Sequence, residues 1–328
     1  MLEEERNDST RSLVKSLYID CAGGRTPCIS FELNLRCNAQ CIFCSRDAHV
    51  FRASENLEIS EIKSLLKGKK AVSFLGGEPL TDKRLPYLLE YCRDQNINTS
   101  IISNGTLLAD KKLCDAILKP LNLLILSIPS VNPDIYNYMM GFDGFSLLQK
   151  AIHNIASSPY WVVVDLDILT LNSNLSGISK VPEYLINNGV PYVDIISLLA
   201  PVYVGRLEDH PLELPNPSNP VLHQEIEKIR SLAKDRDIIL RGENCSACMY
   251  GGLPFALVDS ENFSGSIGSE YLVTKKINNE LILCLKTDII SSLNFKQAEV
   301  CNRCSRRERC SGLPETTRIL FSNDIKPL

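Results

Sequence analysis

Residues 28–44 read CISFELNLRCNAQCIFC, an apolar run that leads directly into three closely spaced cysteines. The first half predicts a β-strand over 28–35, because its Ile, Phe and Leu side chains suit a buried strand. Cys37, Cys41 and Cys44 then fall in the loop that follows, with the spacing Cys-x3-Cys-x2-Cys. Loops that follow parallel strands are where α/β proteins collect reactive groups. This one stretch therefore indicates both a fold and a site.

A short apolar run followed by an amphipathic helical stretch recurs along the chain to about residue 236. Strands are expected at 28–35, 71–76, 97–103, 121–128, 161–171 and 192–200. Helices are expected at about 58–67, 82–95, 108–118, 133–157, 178–188 and 219–236. Apolar strands that alternate with helices predict a parallel sheet covered on both faces. We expect an α/β fold, a partial (β/α)6 barrel of the TIM type, with reactive loops at the carboxyl ends of its strands.

The alternation stops at about residue 241, where a region with six cysteines begins. We therefore expect three parts: an N-terminal extension at 1–27, the partial barrel at 28–240 and a small cysteine-rich domain at 241–328.

Composition argues against several classes of function. The 328 residues are 44% hydrophobic, which suffices for a sizeable core, and the formal net charge is −4. No long basic run is present, so nucleic acid is not expected as a partner. The longest apolar runs are too short to span a bilayer, and the acidic N-terminus lacks the apolar core of a signal peptide. We expect a cytoplasmic protein with no membrane partner.

Thirteen cysteines stand out in such a chain. In a reducing compartment, closely spaced thiols more often bind metal or carry out redox chemistry than form disulfides. Three thiolates on one tight loop can hold three corners of a [4Fe–4S] cubane, because soft thiolates suit iron–sulfur chemistry. The fourth iron would keep an open coordination position. A zinc site or three incidental buried thiols are the alternatives.

With the aromatic Phe43 just before its third cysteine, the loop resembles the signature of the radical SAM superfamily. The segment FLGGEPL at 74–80 is similar to the family's GGEP motif, and SNGTLL at 103–108 is similar to its NGT segment. Segments at the ends of the fourth, fifth and sixth strands also resemble the family. The resemblance implies that cofactor or substrate is contacted by Phe43, Gly76, Gly77, Glu78, Pro79, Ser103, Asn104, Ser127, Asp167, Thr170, Asn172 and Arg206. Glycines let the backbone approach a ligand, and Glu78 would accept hydrogen bonds from an ammonium group.

The resemblance also implies a reaction. The amino and carboxylate groups of S-adenosylmethionine would chelate the open iron, and one electron would cleave the sulfonium C–S bond. The products are methionine and a 5′-deoxyadenosyl radical, which abstracts a substrate hydrogen. A reductant such as flavodoxin or ferredoxin is the expected electron donor, and the protein contributes position and exclusion of solvent.

The C-terminal cysteines resemble the family's auxiliary-cluster extension, called SPASM in its long form and twitch in its short form. CNRCSRRERCSG at 301–312 has the x2–x5 spacing of the long form, but Pro314 stands where that motif continues with Cys. The candidate ligands are Cys245, Cys248, Cys284, Cys301, Cys304 and Cys310. We expect at least one auxiliary [4Fe–4S] cluster, held by the last three and by Cys248 or Cys284. The alternative is a zinc ribbon built from the pairs 245/248 and 301/304.

The other four cysteines, at positions 21, 28, 92 and 114, are expected to be small buried hydrophobic residues.

The substrate is the least determined part of this interpretation. Family members with such extensions often modify ribosomally made peptides, so we expect a cross-link, a thioether or an epimerised residue in a peptide or protein. Only 27 residues precede the first strand, too few for a winged-helix leader-recognition domain, so a separate recognition protein is an expected partner. No cobalamin-binding domain is expected. The alternatives are oxidation of a small metabolite such as a sugar or aminoglycoside, and a non-catalytic iron–sulfur or zinc protein.

Overall fold

The computed structural model describes the barrel region almost completely and short stretches of the C-terminal region. The described residues are 28–45, 57–190, 192–203, 205–243, 249–250, 275–277, 280–282, 296–305, 307 and 319–321. The extension predicted at 1–27 and most of the cysteine-rich region predicted at 241–328 lie outside these residues.

Seven strands form one open parallel sheet whose spatial order follows the chain order. They are β1 (Cys28–Asn34), β2 (Ala71–Gly76), β3 (Asn98–Ser103), β4 (Leu123–Ser127), β5 (Val163–Leu169), β6 (Val193–Leu199) and β7 (Ile239–Glu243). Each strand pairs in parallel with the next, and within the described residues β1 and β7 are the edges of the sheet. The predicted α/β partial barrel is confirmed. A separate antiparallel pair joins β8 (Lys275–Ile277) to β9 (Glu280–Ile282).

Seven α-helices connect the strands of the sheet in the described part of the chain. They are α1 (Ile59–Leu66), α2 (Leu85–Asp94), α3 (Lys111–Leu118), α4 (Pro133–Met140), α5 (Phe145–Ala156), α6 (Lys180–Asn187) and α7 (Pro220–Asp235). The α4 and α7 helices begin with proline after an asparagine whose side chain accepts backbone N–H groups, which is a strong local start signal. Among the described residues, no helix combines the length and apolarity needed to cross a bilayer.

The single helix predicted over about 133–157 is wrong at its centre. Gly141 has φ +67° and ends α4, because a left-handed residue stops a helix. The side-chain oxygen of Asn137 accepts the N–H groups of Gly144 and Phe145 at 3.1 Å each, and α5 begins there. The chain therefore turns between two helices, and this turn faces the cysteine loop described below.

The seventh strand was not predicted. Its sequence, ILRGE, contains two charged residues and a glycine and therefore carries a weak strand pattern. It forms because it pairs with β6 from Ile195–Ile239 to Leu199–Glu243. The sheet thus extends to Glu243, three residues beyond the predicted end of the barrel. The division of the chain into three domains stays a prediction.

The face of the sheet turned away from the main helix-packed core carries buried polar side chains. Asp165, Ser197 and Arg241 form a buried triad on three neighbouring strands. The Arg241 guanidinium donates to Asp165 Oδ2 and to Ser197 Oγ, both at 2.7 Å, and Ser197 Oγ donates to Asp165 Oδ1 at 2.7 Å. A buried charge is tolerated only when it is paired and hydrogen-bonded, so this triad joins β7 to the sheet.

Replacing Arg241 with alanine should lower the free energy of unfolding by about 3–5 kcal/mol, because the Asp165 carboxylate would be left buried without its cation. As a control, Lys111→Ala removes the exposed ion pair between Lys111 and Asp115 on α3 and should cost less than about 1 kcal/mol. Urea denaturation of the two variants measures the difference. Equal losses of unfolding free energy in the two variants would show that Arg241 and Asp165 do not form a buried ion pair in solution.

Candidate cluster and cofactor site

The loop after β1 presents its three thiols at the carboxyl end of the sheet. Cys37, Cys41 and Cys44 are free and partly exposed. The Cys44 N–H donates to the Cys41 carbonyl at 3.2 Å, and the Ala39 N–H lies 3.4 Å from Cys37 Sγ. The loop is therefore folded on itself with its sulfur atoms available to a ligand.

The last turn of α4 binds the middle of this cysteine loop. The N–H groups of Gln40 and Ile42 donate to the carbonyls of Met140 and Met139 at 2.9 and 3.0 Å. The Cys41 thiol, between those two donors, lies 3.7 Å from the Met140 thioether sulfur. These contacts connect segments about a hundred residues apart and fix the direction of the loop.

Two glycines make close approach to the cysteine loop possible. A Cβ atom at Gly141 would lie 2.2 Å from the Gln40 carbonyl oxygen, and one at Gly205 would lie 2.4 Å from the Cys44 carbonyl oxygen. Both glycines also have positive φ, of +67° and +64°. Any other residue would push the loop away from its supports. Neither glycine was singled out from the sequence, although Gly141 carried a signal as a glycine that follows a helix.

The GGEP segment closes on the entry to the same loop. Gly76 pairs with Asn34 at the end of the sheet. The Gly77 N–H donates to the Asn34 carbonyl at 2.9 Å, and the Glu78 N–H donates to the Arg36 carbonyl at 2.7 Å. The buried Pro79 begins a short 3-10 helix. The glycine backbone thus packs against the chain's own cysteine loop, and its predicted contact with a ligand stays a prediction.

The Glu78 carboxylate joins the ends of β2 and β3. Its Oε1 accepts from Ser103 Oγ at 2.7 Å and from the Leu80 N–H at 3.1 Å, and its Oε2 accepts from the Asn104 N–H at 2.8 Å. Burial raises the pKa of Glu78 to about 7, although the three donors oppose the rise. Its predicted hydrogen bonds to a ligand ammonium stay a prediction.

An amide network holds the loop between its first two cysteines. Asn38 Oδ1 accepts from Asn104 Nδ2 at 3.0 Å, and Asn38 Nδ2 donates to Thr106 Oγ1 at 2.8 Å. The Thr106 hydroxyl in turn donates to Asn104 Oδ1 at 2.6 Å. The predicted residue Asn104 therefore positions the loop from β3. Asn38 was missed, and its only sequence signal is a bifunctional amide placed between two cysteines.

Ser127 and Asp167, two other predicted cofactor contacts, are brought side by side. They are register partners across β4 and β5, and the N–H after Ser127 donates to the Asp167 carbonyl at 3.1 Å.

Thr170 and Asn172 have other partners. The Thr170 hydroxyl bonds to the Leu199 carbonyl at 3.1 Å and to the Tyr250 hydroxyl at 2.9 Å. The Asn172 amide donates to two carbonyls of the segment 212–214. Cofactor contacts by these four residues stay predictions.

Arg206 and Phe43 lie against the cysteine loop. The Arg206 N–H donates to the Cys44 carbonyl at 3.1 Å, and the Phe43 ring packs on apolar side chains beside the loop. Burial is the largest cause of the raised pKa values of Cys37 and Cys41, and the positive charge of Arg206 is the smallest cause and only partly opposes the rise.

The donor chemistry of the loop fits an iron–sulfur cluster. It offers three free, partly exposed thiols, backbone N–H groups near sulfur and a neighbouring guanidinium, and soft thiolates are the ligands that such clusters take. Within the described residues, no three His, Cys, Asp or Glu side chains converge closely enough to hold one metal ion.

The second cysteine set is described only in part. Cys301 and Cys304 lie in and just after a 3-10 turn, and the Cys304 N–H donates to the Cys301 carbonyl at 3.0 Å. Both thiols are free and partly exposed. The other four candidate ligands, Cys245, Cys248, Cys284 and Cys310, lie outside the described residues.

The predicted burial of Cys92 and Cys114 is confirmed, since both are fully buried. Cys21 lies outside the described residues, and Cys28 contributes its backbone to β1.

Fold and site together define an open parallel (β/α) barrel with a thiol loop after its first strand. Residues 32–179 match the family model of the radical SAM superfamily, so the chain carries a radical SAM superfamily domain.

Similar proteins differ widely in what they do. Fe-coproporphyrin III synthase of Methanosarcina barkeri is 27% identical over 190 residues, 56% of this chain and 46% of that protein. The chain spans about half the length of the curated relatives it matches. Streptococcus suis SuiB bound to its precursor peptide SuiA has a TM-score of 0.58 at 15% identity, covering 90% of this chain and 73% of SuiB. A structure of anSMEcpe with bound AdoMet and a Cp18Cys peptide has a TM-score of 0.55 at 15% identity, covering 92% and 93%. The two structures share the fold.

Gly141→Ala should displace the cysteine loop, because its Cβ would clash with the Gln40 carbonyl. Gly68→Ala is the matched control, since Gly68 also has positive φ but an added Cβ there would meet nothing within 4 Å. Both variants should lose about 1–2 kcal/mol to left-handed backbone strain, and Gly141→Ala should lose more. Only Gly141→Ala should bind less iron after anaerobic reconstitution. Equal iron binding by the two variants would contradict the proposed support of the loop by α4.

The raised pKa of Glu78 predicts a pH dependence of stability. Its pKa is about 7 in the folded chain against an ordinary value of 4.5, so the folded chain binds this proton more tightly. This proton therefore adds its full contribution to the free energy of unfolding below pH 4.5. The contribution, roughly 3 kcal/mol at most, is lost as the pH rises to about 7. Urea unfolding of the wild type and of Glu78→Gln between pH 4.5 and 8 tests this. Parallel pH profiles would contradict it.

Proposed function

We propose that this protein is a radical SAM enzyme whose cluster is held by Cys37, Cys41 and Cys44. The observation that carries the proposal is the position of the cysteine loop. It lies at the carboxyl end of β1 within a radical SAM superfamily domain, and the ends of β2 and β3 hold it there. When bound, a [4Fe–4S] cluster with one open iron supplies the electron that cleaves S-adenosylmethionine to methionine and a 5′-deoxyadenosyl radical. That radical would abstract a hydrogen from the substrate.

The residues around the loop would bind and orient the cofactor. Ser127 and Asp167 stand together at the ends of β4 and β5 and would offer hydroxyl and carboxylate oxygens to it. Arg206 would stabilise the thiolates by its charge, and Phe43 would exclude water from one side of the loop. The Asn38 network would keep the loop in the same shape before and after the cluster binds, which limits the cost of loading it.

We propose that the C-terminal region holds at least one auxiliary [4Fe–4S] cluster of the SPASM or twitch kind. Cys301 and Cys304 support this proposal, because they lie in and just after one 3-10 turn and their thiols are free and partly exposed. Cys310 and one of Cys248 or Cys284 would complete the set, with Cys245 as a further candidate. Closing a cross-link from the substrate radical would release one proton and one electron, and the auxiliary cluster would accept that electron. A flavodoxin or ferredoxin would reduce the first cluster.

The proposed substrate is a peptide or protein. The support is the likeness of fold, over 90% or more of this chain, to two proteins whose structures hold a bound peptide. The second candidate is a small metabolite, because the curated relative Fe-coproporphyrin III synthase takes its name from a porphyrin. A separate leader-recognition protein would be a partner only in the first case.

Anaerobically purified, reduced protein should convert S-adenosylmethionine to 5′-deoxyadenosine, measured by liquid chromatography. Changing Cys37, Cys41 and Cys44 together to Ala should abolish this activity, because the thiolate ligands are removed. The matched control is Cys92→Ala with Cys114→Ala, which removes two fully buried thiols that are not candidate ligands. The amount of iron that the triple variant still binds would give the number of auxiliary clusters. A colourless zinc protein without activity would overturn the proposal.

Mass spectrometry of candidate substrates distinguishes the two substrate classes. A short precursor peptide encoded beside the gene, incubated with reduced protein and S-adenosylmethionine, should lose a pair of hydrogens on cross-linking or take up solvent deuterium on epimerisation. An unchanged peptide, together with turnover of a sugar or another small metabolite from neighbouring enzymes, would favour the second candidate.

A further inference from the structure

The cysteine loop begins with an exit limb, residues 33–36, which carries the chain from the end of β1 to the first cysteine. The Asn34 side-chain oxygen accepts the Arg36 N–H at 2.7 Å and turns the chain away from the strand. The Leu33 carbonyl accepts from Arg84 Nη2 at 3.1 Å. Within the described residues β1 has a neighbouring strand on one side only, so side-chain contacts of this kind contribute to holding its end.

The same guanidinium also contacts the chain where it returns towards the first helix. Leu57 is buried just before α1, and its carbonyl accepts from Arg84 Nη1. One planar group therefore bridges two carbonyls, one before the three cysteines and one after them. Arginine suits such a bridge, because its guanidinium presents several N–H donors in one rigid plane.

Asp82, at the end of the short turn that follows the GGEP segment, fixes the guanidinium in this position. Its Oδ1 accepts from Arg84 Nε at 2.9 Å and its Oδ2 accepts from Arg84 Nη2 at 2.6 Å, which is a two-point ion pair. The Asp82 side chain is 7% exposed and that of Arg84 is 23% exposed, so water has little access to the pair. Burial acts to raise the pKa of Asp82, but the hydrogen bonds and charge of Arg84 outweigh it, and the lowered pKa keeps the carboxylate charged.

We propose that Arg84 is a positioning residue for the cluster, because it holds the chain on both sides of the three cysteines and so sets the arrangement in which their thiols meet the iron. This inference rests on the proposed function of the cysteine loop. Arg84 acts through the backbone, since the two carbonyls that it binds belong to Leu33 and Leu57. Groups that orient metal ligands without binding the metal change its affinity by about 10–100-fold. The contacts are made by the chain alone, so they should order the loop before the cluster binds.

Arg84→Lys tests the proposal, because it keeps a positive charge beside Asp82 but lacks the planar fork that spans both carbonyls and the carboxylate. In the metal-free protein, hydrogen–deuterium exchange should become faster in peptides that cover the exit limb. In the reconstituted protein, loss of iron to a chelator should be about tenfold faster than in the wild type. The EPR signal of the reduced cluster should broaden, since the thiols would hold the cluster in more than one arrangement.

Arg93→Lys is the matched control at the other end of α2. Arg93 lies in the last turn of that helix, and its guanidinium donates to the exposed carboxylate of Asp94 at 3.3 Å. Its replacement should leave the exchange of the exit limb, the loss of iron and the EPR signal as in the wild type. Both variants replace an ion-paired arginine with lysine, so a difference between them reports the position of Arg84.

Two further variants separate a local effect from a general loss of stability. Asp82→Asn removes the charge that fixes the guanidinium and should show the same changes as Arg84→Lys to a smaller extent, and it serves as the test if Arg84→Lys does not fold. Glu225→Ala removes a buried carboxylate that accepts from the N–H and the hydroxyl of Ser179. It should lower the melting temperature and leave the exchange of the exit limb and the loss of iron unchanged.

The possible outcomes separate this inference from the proposed function. A wild-type protein that binds no iron–sulfur cluster would overturn both. A wild-type protein that binds a cluster, with exchange of the exit limb or loss of iron unchanged in Arg84→Lys, would overturn the inference alone. Equally fast loss of iron from Glu225→Ala would also overturn it, because the effect would then follow general stability. Faster exchange and faster loss of iron confined to the Arg84 and Asp82 variants support it.

Discussion

Direct contact between main chains is the constraint on which the rest of this structure depends. The cysteine loop is hydrogen-bonded through its own backbone to three distant parts of the chain: the end of β2, the last turn of α4 and the segment after β6. Backbone donors and acceptors can meet only where no side chain intervenes, so Gly141 and Gly205 stand at two of the contacts. These backbone contacts fix the course of the loop that carries the three thiols.

Buried polar groups, some within the strands and some just after them, give the barrel a second kind of order. The Glu78 carboxylate connects β2 to β3, and the triad around Arg241 connects β5, β6 and β7. Burial of the Glu78 carboxylate and of the Arg241 triad is costly, and hydrogen bonds to most of their polar atoms offset this cost. Apolar packing would stabilise these positions as well, but it would not specify which strand ends meet or in which register. A cofactor site needs that register to be unique.

The fold limits the chemistry more than it limits the substrate. The proposed cluster with one open iron needs the three thiols of the loop, and this need is the same for every class of substrate. Similar folds serve proteins whose structures hold bound peptides, and a curated relative is named for a porphyrin. Function of this kind resides in the site and its surroundings, so barrel architecture alone does not select among these substrates.

The sequence alone was sufficient for the α/β fold, the six strands that precede residue 201 and the cysteine loop after β1, because apolar periodicity and cysteine spacing are local patterns. It was insufficient for β7, whose weak pattern becomes a strand only when β6 offers it a pairing edge. It also predicted one helix where Gly141 divides two. The supports of the loop at Asn38, Gly141 and Gly205 are contacts between residues far apart in the chain. Tertiary structure alone decided them, because a hydrogen bond or a steric limit exists only once the two partners are brought together.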